Sequence, residues 1–146
     1  MRWVISGAAF FVPLMAVIAI GGSCVGSHQP ETTLAPAQVG ELRKFTRDRE
    51  DLLDRYAVAR GQPESPSIPH LALERFDRRG NDARGNAWYR LARTPPGLSA
   101  GVVRPVDATG LIQVAGGATP SVVLPLTQRW RYWEVRSPTA PARISP

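Results

Sequence analysis

The chain has 146 residues, with 18 Lys and Arg against 12 Asp and Glu, a formal net charge of +6, and a single cysteine. That length leaves room for one small domain of modest core. The lone Cys24 excludes an intrachain disulfide, a thiolate zinc cluster and a C-x-x-C-H haem attachment site.

The first twenty-four residues hold an uncharged apolar run, Val4 to Ser23, entered through Arg2 and Trp3. As a helix, it would extend roughly 30 Å, the thickness of a bilayer's hydrocarbon core. A membrane helix or signal segment is therefore expected over 1–24, with Val4, Ile5, Phe10, Phe11, Leu14, Val17, Ile18 and Ile20 as its anchoring side chains. Three outcomes are open near its end: a retained anchor, a cleaved signal, or a lipoprotein signal with Cys24 as the acylated residue. The last conflicts with Gly21, which stands where such signals carry an aliphatic residue. The expected placement is a single-pass protein of the bacterial inner membrane with its C-terminal part in the periplasm. A lipid-anchored envelope protein is the alternative.

Residues 25–36 are polar and rich in Gly, Pro and Thr, and read as a tether. From Ala37 to Arg60 the spacing predicts a helix: Val39, Leu42, Phe45, Leu52, Leu53 and Tyr56 recur at three, four or seven, with the stripe broken at Arg49. Arg43, Arg47, Arg49, Arg55 and Arg60 alternate there with Glu41, Asp48, Glu50, Asp51 and Asp54, as on a solvated helix face. With Lys44 the only lysine, the positive charge is not clustered as phosphate binding requires, and no nucleic-acid partner is expected. One amphipathic helix cannot bury its stripe alone, so it must meet other segments of this chain or another protein.

Ile68-Pro69 is expected to open a second helix reaching Arg79 and capped by Gly80, giving a helical corner. Asn86 to Arg93 is expected to add a helical turn, with Trp88 and Leu91 inward. The helical region thus spans 37–93. Thr94-Pro95-Pro96-Gly97 ends it, and 94–146 reads as an extended Pro/Gly-rich tail. Within the tail, Gly101 to Val106 and Leu111 to Ala115 form a candidate hairpin, and Ser121 to Leu126 and Gln128 to Arg136 are candidate strands. Pro105, Pro120 and Pro125 demote these to edges. The fold class expected is mainly α with irregular extended segments: one N-terminal transmembrane helix, a helical corner, and a tail of short β-strands.

His28 and His70 are far apart in sequence, no serine has nucleophile-elbow context, and Gly110, Gly116 and Gly117 form no phosphate-binding pattern. No catalytic set, metal site, cofactor or small-molecule substrate is therefore expected, and the chain is read as non-enzymatic. The densest surface candidate is the stretch around Trp130, Arg131, Tyr132, Trp133 and Arg136, because aromatics and Arg are enriched at interfaces. In an extended strand Trp130, Tyr132 and Glu134 face one way and Arg131, Trp133 and Val135 the other. The alternative is that Trp130 and Tyr132 pack on the chain's own helices, leaving the arginines solvated.

Leu52-Leu53-Asp54-Arg55-Tyr56-Ala57-Val58, followed by Ser67-Ile68-Pro69 and then Ala72 through Arg79-Gly80, resembles a motif of small single-span proteins encoded near bacterial cytochrome oxidase and alternative complex III genes. Ala57, Val58 and Ser67 depart from that motif. The resemblance implies an accessory role beside a respiratory or electron-transfer complex, with no redox centre in the chain itself. Together these readings predict a membrane-anchored accessory subunit that packs on a larger membrane complex and touches the lipid bilayer. A free-standing envelope lipoprotein with a small binding domain is the alternative.

Overall fold

The computed structural model describes residues 31–137. The expected anchor residues Val4, Ile5, Phe10, Phe11, Leu14, Val17, Ile18 and Ile20, together with Cys24, lie outside the described residues. Two short helices, α1 (Pro36–Asp48) and α2 (Glu50–Arg55), precede five strands: β1 (Phe76–Asn81), β2 (Ala87–Leu91), β3 (Leu98–Arg104), β4 (Val122–Pro125) and β5 (Arg131–Arg136). All neighbouring strands pair antiparallel in the order β1-β2-β3-β5-β4, so β5 inserts between β3 and β4.

This sheet corrects the expected mainly α architecture. The predicted helix from Ile68 to Arg79 is a 3-10 turn, Leu71–Leu73, after which the chain runs straight into β1. His70 caps that turn by accepting the Ala72 N–H on Nδ1 at 3.0 Å. The predicted helical turn at Asn86 to Arg93 is β2. Trp88 and Leu91 are three apart, which fits a helix turn, but a window this short also fits a strand with both faces buried. Here Trp88 serves one face and Tyr89 the other. Leu111 to Ala115 does not form a hairpin with β3. Pro105 has no N–H to continue the ladder, and β3 takes β2 and β5 as its neighbours instead.

The single-pass membrane placement is corrected as well. Among the described residues no helix is long and apolar enough to cross a membrane. The longest, α1, has 13 residues and carries Glu41, Arg43, Lys44, Arg47 and Asp48.

Register sorts the side chains into two cores. On the helix side Tyr89, Val102, Tyr132 and Leu124 line up across β2, β3, β5 and β4. Leu34, Val39, Leu42, Leu53, Phe76, Leu91, Leu126 and Trp130 join them. On the other side Trp88, Val103 and Trp133 are covered by Ile112 and Val114 from the β3–β4 connection. Asp82 and Asn86 hold that connection in place. Asp82 accepts the N–H groups of Arg84, Asn86 and Gln113, and Asn86 accepts the Val106 N–H and donates to the Leu111 carbonyl.

Gly80 and Gly101 mark two close approaches between neighbouring strands. A Cβ at Gly80 would stand 2.4 Å from the Trp88 ring, and one at Gly101 only 1.8 Å from the Tyr89 carbonyl oxygen. The Trp88 ring on β2 is thus matched by a missing side chain on β1, and β3 lies against the β2 backbone where it carries none.

Candidate functional site

The feature with most surface shape is α1, which crosses the helix side of the sheet between two grooves. The helix starts where Pro36 pre-sets the backbone. The Gln38 side chain reaches back to accept the Ala35 N–H at 3.1 Å. Val39, Leu42 and Thr46 are its buried residues, and Phe45 meets Phe76 edge-on at 5.7 Å. Guanidinium groups of Arg49 and Arg75 lie over the Phe45 ring at 4.1 and 4.6 Å.

The first groove, about 490 Å³, runs between α1 and the β1–β2 end of the sheet. Leu34, Leu42 and Leu91 give it an apolar floor, and Glu41, Glu74, Arg75 and Arg93 a rim of both signs. The second, about 500 Å³, lies on the opposite flank between α1 and β4, bounded by Pro36, Val39, Arg43 and Leu124. Because β2 borders one groove and β4 the other, α1 sits above β3 and β5, which lie between them in the sheet.

Residues 31–35 form a strap leading into α1, and a carboxylate on β5 holds it. Glu134 is fully buried. It accepts the Thr33 backbone N–H at 3.0 Å, the Thr33 hydroxyl at 3.0 Å, the Tyr132 hydroxyl at 2.7 Å and Arg136 Nε at 3.0 Å. Arg136 also donates to the Glu31 carbonyl and to Thr33 Oγ1. Burial alone would raise the Glu134 pKa, but the Tyr132, Thr33 and Arg136 donors hold it below the ordinary carboxylate value. Burial, followed by its bond to this carboxylate, pushes the Tyr132 phenol well above the ordinary range. The charged carboxylate and neutral phenol are therefore the stable pair at neutral pH.

α2 is fastened differently. Its Asp54 pairs with Arg104 at 2.8 Å and with Arg129, and accepts the Trp130 indole N–H at 3.2 Å. Glu50 accepts the Thr127 hydroxyl and faces Arg129 at 3.4 Å. The Leu53 carbonyl accepts the buried Tyr89 hydroxyl at 2.8 Å.

The predicted interface residues are divided by these arrangements. Trp130 and Tyr132 face the helices, Trp133 faces the opposite core, and all three are buried. Trp133 meets Trp88 edge-on at 6.5 Å and donates to the Val102 carbonyl at 3.1 Å. Arg131 is half-buried, and only Arg136 is exposed. Trp130 and Tyr132 therefore pack on the chain's own helices, while Trp133 packs into the core on the opposite face. His70 stacks beside Tyr56 at 5.8 Å, and His28 lies outside the described residues. Glu134 is a buried anchor absent from the expected interface set. The signal was its place on the same strand face as Trp130 and Tyr132, since a carboxylate sharing a buried face with aromatics must find donors. The grooves had no such signal, because their walls come from segments distant in sequence.

Comparison with family models, curated proteins and solved structures finds no match for this chain.

Proposed function

We propose that this chain is a non-catalytic accessory domain that docks on a larger protein assembly by taking an extended polypeptide segment into the groove between α1 and β2. The observation that carries the reading is the pairing of an apolar floor (Leu34, Leu42, Leu91) with a rim of both charges (Glu41, Glu74, Arg75, Arg93) in a groove of about 490 Å³. Such a size suits a ligand of a few side chains. A polypeptide supplies apolar anchors and charges of both signs within a few residues, whereas a polyanion would face Glu41 and Glu74. The carboxylates Asp54, Asp82 and Glu134 support a structural assignment for the domain's polar groups, since each is occupied by several donors of its own fold.

Selection of a random-peptide display library on the full chain tests this. Enriched peptides should share an apolar anchor flanked by charge, and Arg75→Glu with Arg93→Glu should turn the selected charge from acidic toward basic at the matching position. No enrichment over background, or enrichment indifferent to these substitutions and to Leu91→Asp, would overturn it.

A further inference from the structure

We infer that α1 and the strap before it form a lid, hinged at Arg49 and clasped by Glu134, that swings off the sheet while α2 stays fixed. The inference does not depend on what occupies the grooves. It rests on how unevenly the two helices are fastened. α2 is tied to strands β2 and β3 and to Thr127, Arg129 and Trp130 in the turn before β5 through Leu53, Asp54 and Glu50. Among the described residues, the polar ties of α1 and its strap to the sheet are the Glu134–Arg136 clasp and a 3.5 Å approach of Arg43 to the Pro125 carbonyl.

Between the helices stands Arg49, with φ −125° and ψ 18°. This non-helical residue ends one ladder and begins the next, so a rotation there disturbs neither helix internally. Three features lower the cost of opening. Gly40 sits mid-helix with nothing within 4 Å of where a Cβ would be, so it weakens α1 without contributing packing. The N-cap residue Ala35 has no side-chain acceptor for the first-turn N–H groups. The buried Thr46 hydroxyl has no hydrogen-bond partner among the described residues, as has the buried Nε of Arg49. Opening hydrates both, recovering a desolvation penalty that the closed state bears.

The grooves show what opening does. They flank α1, with Leu91 at one wall and Leu124 at the other. Lifting the helix merges them into one trough floored by the helix-side face of β3 and β5, where Ala100, Val102 and Tyr132 lie. Val39, Leu42 and Phe45 hold the closed lid to the sheet by apolar contact along α1, and the clasp adds one ionisable side chain at the strap.

Amide hydrogen exchange of the full chain, read residue by residue, tests this. Glu134→Gln keeps the shape of the side chain and removes its charge. Exchange in residues 33–48 should accelerate about tenfold to a hundredfold, with α2, β2 and β3 unchanged. Acceleration of α2 and β3 in step with α1, or none in α1, would overturn the lid. Should Glu134→Gln not fold, Arg136→Gln decides by the same pattern. Its side chain is half exposed, and it should give a several-fold acceleration confined to the same residues.

Discussion

The Tyr89 hydroxyl donates to the Leu53 carbonyl at 2.8 Å in the middle of the helix-side core. This one bond closes the C-terminal part of the helical segment onto β2, and burial pushes the phenol far above its ordinary range, so the donor is present at every working pH. Tyr89→Phe keeps the ring and leaves a buried carbonyl without a partner. The expected cost is about 1–2 kcal/mol, read as a lower urea midpoint with an unchanged slope.

Two glycines should respond in opposite directions to the same substitution. Gly101→Ala drives a methyl group against the Tyr89 carbonyl in the sheet's centre, where only backbone can give way; a loss of about 2–3 kcal/mol is expected. Gly40→Ala meets open space on α1 and should raise stability by about 0.5–1 kcal/mol through helix propensity. Thermal unfolding of both variants against the parent checks the contrast, and a Gly101→Ala protein as stable as the parent would contradict the register of β2 and β3.

Glu134 makes stability depend on acid in a definite direction. The groups facing it are Thr33 from the strap and Tyr132 and Arg136 from its own strand. They hold its folded pKa below the unfolded value, so the stabilisation is complete above the ordinary carboxylate range and is lost as pH falls through the folded pKa. At neutral pH Glu134→Gln should cost about 2 kcal/mol. Chemical denaturation repeated below the ordinary carboxylate range should show the gap between parent and variant shrinking, because the unfolded parent takes up a proton that the folded carboxylate resists. A gap that widens toward acid would show the sign to be wrong.

Asp82 ties the β1–β2 turn to the segment that covers Trp88 and Trp133. Burial alone would raise its pKa, but the N–H groups of Gln113, Asn86 and Arg84 and the Asn86 side-chain amide hold it below the ordinary value. Asp82→Ala should lower stability by about 1–2 kcal/mol, and should shift the amide resonances of Ile112 and Gln113 more than those of α1. Equal perturbation of α1 would mean that the two faces of the sheet are not independently supported.

How much of this was legible in the chain differs by element. The start of α1 at Pro36 is written in local chemistry, a proline at a first turn, whereas the single helix expected to reach Arg60 is split at Arg49 and ends at Arg55. The strands β4 and β5 lie inside the runs Ser121 to Leu126 and Gln128 to Arg136, where β-branched and aromatic residues alternate. Ile68 to Arg93 carries an apolar spacing of three that suits a helix turn, while the deciding contacts are ladder bonds between strands. The buried ends of Trp88 and Tyr89 point to two different cores, and nothing in a ten-residue window distinguishes that from one helical face.

The sequence by itself determined that the chain has room for one small domain, that its single cysteine rules out thiolate frameworks within it, and that Glu134 shares an extended-strand face with Trp130 and Tyr132, because these follow from counts and from a two-residue period. Tertiary structure alone decided that β5 enters between β3 and β4, that Glu134 receives Thr33 from 101 positions away, and that α1 lies between two grooves. Pairing and burial at such separations are set by which arrangement buries the most apolar surface while leaving few buried polar groups unpaired, a property of the whole chain that no local stretch encodes.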